Sequence, residues 1–489
     1  MFPLSERRWA WSCAAAFFAL SVPRVLLHEL WRDEAWLWLV VTGSHTIGEL
    51  FAPLQRSGEG YLFPLACFLV RQFTTSPSAM QWLHLLLATA AAWVFLYFAP
   101  LRRLQRVLFI AGYLPLYEYT VISRHYVVGL LCTWLACAAI SSRRSAIWLG
   151  LFLGLLCQTT VFGYILAIAI GAGWLLDHSA RGSGWLAGGA LFLAGATAGL
   201  VQLIPAPGTT FAPWWRFGWD GEAAARVLAI PWRAFVPVPK PHLEFWNTNI
   251  LDGAAPVETV LGVLILTLAA AMLWRSKAAL TMFAVGASGL LAFAYLKFPG
   301  EMRHQGHIWI LFIAALWLGG GGSIVQSWRG IVLAGLLAVH IGAALFASWM
   351  DLRHPFSNGA ATAELLRQRG LDTYPLLAYR EPPASAVALP LGKPMYFASR
   401  GVFTTYPDWG PQQRDVTMDE LRCSARALAQ RKRHDIVLVM NRQLPPWNEV
   451  SPSGETNGAI VASENYRLYV LALDRLAATA TEANCDVRP

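Results

Sequence analysis

From residue 9 to residue 349 the chain is a succession of apolar runs separated by short polar segments, and no other feature constrains the fold as much. Runs near 9–27, 81–99, 107–122, 126–140, 146–160, 162–176, 184–203, 257–274, 278–296, 307–319 and 330–349 each predict a helix. Lipid offers a backbone N–H or C=O no partner, so a spanning segment of roughly 20 apolar residues closes its hydrogen bonds internally. Composition agrees, with 56% hydrophobic and 14% charged residues, where a soluble domain carries about 25% charged. The expected fold class is a polytopic α-helical membrane protein of about eleven transmembrane helices, followed by a C-terminal α/β domain.

Charge sets the expected topology. Arg7 and Arg8 precede the first run, which continues into a Trp-rich stretch without a small-residue cleavage site, so it reads as a retained anchor with a cytoplasmic N-terminus. Inward segments then hold Arg7, Arg8, Arg102, Arg103, Arg106, Arg143, Arg144, Arg181, Arg275, Lys277 and Arg329 against only Glu6 and Asp177. Short cytoplasmic loops carry such an excess of basic residues. Residues 61–72 (YLFPLACFLVRQ) are short and contain Pro64, and read as a re-entrant or interfacial helix. Counting them as a span would send Arg102, Arg103 and Arg106 outside. The net charge of +9 does not imply nucleic acid, because the basic residues are scattered over loops.

The same topology puts the unusual polar clusters on the outer face. The first is HELWRDEAWLW (28–38). Read as a helix, it sets Glu29 and Asp33 on one face at i, i+4, with Trp31, Trp36 and Trp38 resting on lipid. Asp33 and Glu34 are adjacent acids, and Glu59 is a further carboxylate ahead of 61–72. A carboxylate beside a hydroxyl can take its proton. A divalent metal held by Asp33, Glu34 and Glu59 is a further option, since hard cations take oxygen ligands. Against phosphate stand Arg124 and His125, followed by Tyr126, and then Lys297, Arg303 and His304, because a guanidinium forks onto phosphate oxygens. Prolines in the long outer loop 204–256 are expected to bar regular helix there.

After Met350 the chain reads as ordinary soluble protein, with sixteen Lys or Arg and fifteen Asp or Glu over 351–489. A helix is predicted over SNGAATAELLRQRGLD, with Ser357 as N-cap and Gly370 ending it. Buried strands are predicted at 385–392 and 435–441, and Thr417 with Glu420 forms a capping box that opens a second helix. Alternating helices and strands predict a small α/β domain at 351–489, outside the cytoplasm. There Cys423 and Cys485 could pair, while Cys13, Cys67, Cys132, Cys137 and Cys157 lie in apolar segments.

With these residues assembled, the chain resembles the GT-C superfamily of membrane glycosyltransferases, and most of all its protein O-mannosyltransferase and aminoarabinose transferase branch. The resemblance rests on Arg32-Asp33-Glu34-Ala35 after the first span and on juxtamembrane helices at 28–38 and 61–72. Ser123, Arg124 and Tyr126 (SR-x-Y) and Arg303, His304 and Gly306 (RH-x-G) also resemble segments of uncharacterised bacterial proteins. It covers residues 1–350, with the first outer loop at 28–80. The resemblance implies a polyprenyl-phosphate sugar donor and a glycan, lipid or protein acceptor, joined on the extracytoplasmic face of a bacterial inner membrane. It also implies Asp33 as catalytic base and Glu34 as its neighbour in acceptor or metal binding. Some relatives place a third acid after a later span, where this chain has Arg124 and His125. Two other classes are an O-antigen ligase or polymerase using Arg and His without a carboxylate base, and a lipid or glycan transporter. A transporter predicts internal repeats and mid-membrane charges, and the sequence shows neither.

Overall fold

The structure, a computed structural model, describes residues 4–141, 146–177, 184–212, 215–320 and 328–478. Arg143, Arg144, Arg181 and Cys485, on which the charge bias and the cysteine pairing partly rest, lie outside the described residues. The chain forms two compact units. One is helical (Met1–Leu26, Gly58–Ala206 and Ala212–Met350), and the other carries the sheet (Leu27–Ser57, Pro207–Phe211 and Asp351–Pro489). The acidic segment 28–38 therefore belongs to the same unit as the C-terminal domain, although more than 300 residues of chain separate them.

Among the described residues six helices are long and apolar enough to cross a membrane by length and composition: Leu4–Leu27, Ser78–Phe98, Trp185–Leu203, Ala255–Leu273, Lys277–Leu296 and Trp328–Arg353. Shorter apolar helices occupy Tyr126–Ser141, Ala146–Leu156, Val161–Leu176 and His307–Leu318. The expected span at 107–122 is not one helix. It divides into the helix Arg103–Ile110 and a π-helical turn, Tyr113–Glu118, with Gly112 extended between them. Helix length and composition among the described residues do not confirm eleven spans. Residues 61–72 form a nine-residue helix, Leu62–Val70, which at about 1.5 Å per residue is far too short to cross lipid. The proline-rich loop 204–256 contains a regular helix after all, Gly221–Phe235. Asp220 caps it by accepting the Ala223 N–H at 3.0 Å, the run GEAAARVLAI favours helix, and Pro231 falls only in its last two turns.

In the sheet unit six strands lie in the order β3-β2-β1-β4-β6-β5, with β1 Leu376–Ala378, β2 Met395–Phe397, β3 Val402–Thr404, β4 Ile436–Met440, β5 Val450–Thr456 and β6 Tyr466–Leu471. β1 pairs in parallel with both β2 and β4, and the remaining pairs are antiparallel. The two-residue alternation of a strand divides the buried positions between two faces. Leu376, Ala378, Val437 and Val439 pack with Leu39, Leu366, Ala384, Val387 and Ala388. Leu377, Ile436, Leu438 and Met440 pack with Leu421, Ala425 and Leu428. Helix Glu381–Leu391 therefore covers one face and Met418–Lys432 the other, a doubly covered sheet of the kind parallel pairing requires.

The predicted strand at 385–392 is instead part of the helix Glu381–Leu391. Proline stands in its first turn, and Gly392, at φ 68°, closes it in the left-handed conformation that glycine adopts without a Cβ clash. The strand at 436–440 and the Thr417–Glu420 capping box are as expected. The first helix of the domain is shorter than predicted, Gly359–Gln368 with Asn358 at its N-cap, while Ser357 Oγ accepts the Gly359 N–H. Cys423 is disulfide-bonded.

Candidate functional site

The acidic motif does not lie on one continuous helix. Residues 28–31 are extended or bent, and the helix Arg32–Gly43 begins after Trp31. Glu29 and Asp33 therefore do not share a helical face. Glu29 instead accepts the Phe356 N–H at 2.9 Å. Nor do the indoles rest on lipid: Trp31, Trp36 and Trp38 are all buried, and Trp36 Nε1 donates to the Pro407 carbonyl at 3.0 Å. Asp33 and Glu34 both fall in the first turn of this helix, where unsatisfied N–H groups favour negative charge.

Their environments then diverge. Glu34 is fully buried, and its Oε2 lies 3.2 Å from His28 Nε2 and accepts the Trp31 N–H at 3.3 Å. The other ring nitrogen of His28 is 2.9 Å from Asp351 Oδ2. Burial alone would depress the imidazole pKa, but the Asp351 and Glu34 carboxylates outweigh it and hold His28 well above its usual range as a cation. Asp33 keeps 28% of its side chain exposed, with Arg32 Nε 3.9 Å away. The Arg32 backbone N–H donates to Glu464 Oε1 at 3.1 Å, and Arg32 Nη1 donates to Ser463 Oγ at 3.1 Å. Glu464 is wholly buried, and that burial pushes its carboxyl up to about 7.

In the helical unit the structure brings Glu59, Arg124, His125, Tyr126, Arg303 and His304 into one buried polar cluster. Arg124 Nη2 forms a direct ion pair with Glu59 Oε1, and His125 Nδ1 lies 3.8 Å from Glu59 Oε2. Next to Glu59, Gly60 packs against the 158–159 backbone, where a Cβ would meet the Gln158 and Thr159 carbonyls at 2.2 and 2.3 Å. His304 Nδ1 accepts the Glu301 N–H at 2.8 Å, so its Nε2–H donates to Tyr126 Oη at 2.7 Å. Burial first, and then Arg303, hold His304 well below its usual range; burial and Arg124 do the same to His125. Both imidazoles are neutral at physiological pH. Arg303 lies over the Trp246 ring, 5.1 Å from its centroid.

Lys297 stands apart from Arg303 and His304. Its Nζ donates to the Ala212 carbonyl at 3.2 Å and lies over Trp215, lining a cleft of about 380 Å³ with Arg216 and Arg226. Sequence reasoning passed over Glu118 as a site residue. Its Oε1 accepts from Tyr113 Oη at 2.8 Å and Trp246 Nε1 at 3.0 Å, while its Oε2 is buried without a hydrogen bond. The signal available in the sequence was a carboxylate inside an apolar run, which is rare unless it has partners.

Among the described residues no group of three or more His, Cys, Asp or Glu is placed to hold a metal ion. Glu34 already meets His28 and accepts the Trp31 N–H.

No family model matches the chain, and no curated protein matches it. Among solved structures it is similar to a cryo-EM structure of the arabinofuranosyltransferase AftD from Mycobacteria, at 13% sequence identity and a TM-score of 0.40. That match covers 95% of this chain and 41% of AftD, so the chain spans about two fifths of the neighbour's length.

Proposed function

We propose that the protein is a membrane glycosyltransferase that moves one sugar from a polyprenyl-phosphate donor to an acceptor on the extracytoplasmic face of a bacterial inner membrane. The acceptor hydroxyl attacks the anomeric carbon and Asp33 takes its proton. The bond from that carbon to the phosphate oxygen breaks, and the polyprenyl phosphate leaves with its charge met by arginine. Asp33 in the sheet unit is assigned the proton transfer. Arg124 and Arg303 in the helical unit, with His125, Tyr126 and His304 around them, are assigned the donor phosphate. Lys297 is assigned to the same donor through its cleft.

The observation that carries this reading is the unequal fate of the two adjacent acids. Glu34 is fixed in a buried network, whereas the Asp33 side chain is 28% exposed. Transfer from a defined polyprenyl-phosphate sugar by the purified full chain tests it. Asp33→Asn should lower the rate by roughly 10²–10⁴. An enzyme of the O-antigen ligase kind, working through Arg and His alone, would keep its rate in that variant and would displace this reading. Orientation is tested separately. Reporter fusions after Pro355 and within 101–106 should report opposite sides of the membrane, and a report from one side would overturn the assigned topology.

A further inference from the structure

In an open α/β sheet, ligands bind outside the carboxyl ends of the strands where the strand order reverses. Here the reversal lies between β1 and β4. From β1 the chain passes through helix Glu381–Leu391 to β2 on one side, and β4, entered from helix Met418–Lys432, pairs on the other. The residues that leave the two carboxyl ends are Tyr379 and Arg380 after β1, and Asn441 and Arg442 after β4. We propose that this crevice is the acceptor site, and that it takes a saccharide carrying a carboxylate or phosphate group.

The charge balance there selects an anion. Arg380 is paired with Asp415 at 2.7 Å, and Arg400, after β2, with Glu381 at 2.9 Å. Arg442 is exposed and donates through Nη1 to Tyr379 Oη at 3.3 Å, and among the described residues it forms no ion pair. Its guanidinium and that of Arg380 both lie within 6 Å of the Tyr379 ring, at 5.7 and 5.8 Å. A cation held in place by a tyrosine, with no carboxylate of its own, is suited to an incoming anion. Asn441 supplies the second polar group. Its Nδ2 donates to the Ser463 carbonyl at 3.2 Å, while its buried Oδ1 accepts no hydrogen bond. An unsatisfied carbonyl oxygen costs free energy, so a small opening of this strand end that lets a sugar hydroxyl reach it would be offset by the new hydrogen bond.

Hydrogen bonds join the crevice to the acidic motif. Ser463, which fixes Asn441 through its carbonyl, also accepts from Arg32 Nη1 through Oγ, and Arg32 Nε lies 3.9 Å from Asp33 Oδ1. On this proposal a saccharide anchored on Arg442 presents its acceptor hydroxyl on the side of Asp33. The role as acceptor site rests on Asp33 being the base; the binding of an anionic saccharide does not.

Saturation-transfer NMR on the full chain in nanodiscs, with glucuronate, glucose 6-phosphate and glucose as probes, tests the proposal. At least one of the two anionic probes should bind wild type and the surface control Arg414→Gln, and which of them binds tells carboxylate from phosphate. Arg442→Gln should weaken that binding by roughly tenfold to a hundredfold, the size of a lost charge-assisted contact. Glucose should bind the wild type no better than the anionic probes bind Arg442→Gln. Equal binding to the Arg442 and Arg414 variants, or no binding of either anion to wild type, would overturn the proposal. Asp33→Asn should bind the probes as wild type does. If binding persists while Asp33→Asn keeps full transfer, the crevice stands as a binding site and its role as acceptor site for an Asp33 base is overturned.

Discussion

His28 in the sheet unit and His125 and His304 in the helical unit are all buried imidazoles beside ionised groups, yet they carry opposite charge states. His28 lies between two carboxylates and is held protonated, while the other two lie among arginines and are held neutral. Burial disfavours the cation in all three, so the difference comes from the neighbours. Their roles differ accordingly. His28⁺ acts as a strut that ties Glu34 to Asp351, whereas neutral His304 passes a hydrogen bond from the Glu301 backbone to Tyr126. In the sequence both segments read alike, as His near acids and Arg at the end of a span.

The comparison breaks most visibly at His28. His28→Leu leaves Glu34 and Asp351 buried without their cation, a loss of about 3–5 kcal/mol in unfolding free energy. The pH dependence gives a sign. A histidine whose folded pKa is raised contributes its full stability below the unfolded value of 6.5 and loses it as pH rises through the higher folded value. Denaturation of the wild type in detergent should therefore become easier toward alkaline pH, and His28→Leu should lack that decline. An alkaline decline equal in both proteins would contradict the charged strut.

In the helical unit the charge belongs to the arginines, so the matching change is Arg303→Ala. It should weaken saturation by the polyprenyl-phosphate donor by about 1.5–3 kcal/mol, with acceptor saturation little changed. Unchanged donor saturation would remove Arg303 from the phosphate site. A third test concerns Glu464, a buried acid whose Oε1 lies 4.0 Å from Arg32 Nε. Its carboxyl stands at about 7 against 4.5 for an exposed glutamate, so the folded state holds a proton that the unfolded state has lost. Stability should fall as pH rises from 4.5 toward 7 and then level off. Glu464→Gln should flatten that stretch of the melting curve against pH, and an unaltered slope would assign it to another group.

How much of the fold was legible in the sequence depends on the range of the forces involved. Apolar runs, the Thr417–Glu420 box and the strand at 436–440 are local patterns, and they appear in the fold except at 107–122, where the run divides. Residues 385–392 read as a strand from sequence because a short apolar run carries no usable period. The Pro382-Pro383 pair ahead of it and Gly392 behind it were the better signals. The three-residue strands β1 and β2 are too short to show any pattern. The candidate site depends on distant partners: His28 meets Asp351 across 323 positions, and Trp246 meets Glu118 across 128. Nothing local in either segment encodes those pairings. The motif Asp33-Glu34 is therefore visible in the sequence, and the resemblance implies separate roles for its members, but the unequal burial of the two is not encoded locally.

The unequal roles of Asp33 and Glu34 are separated by measuring single-turnover transfer and thermal unfolding together on Asp33→Asn and Glu34→Gln. The account predicts that Asp33→Asn loses roughly 10²–10⁴ in transfer while its unfolding shifts by no more than about 1 kcal/mol. Glu34→Gln should lose about 1–3 kcal/mol of stability through its buried hydrogen bonds, with the folded fraction still turning over. The reverse pattern, in which Glu34→Gln stops turnover and Asp33→Asn retains it, would contradict the assignment of chemistry to Asp33 and structure to Glu34.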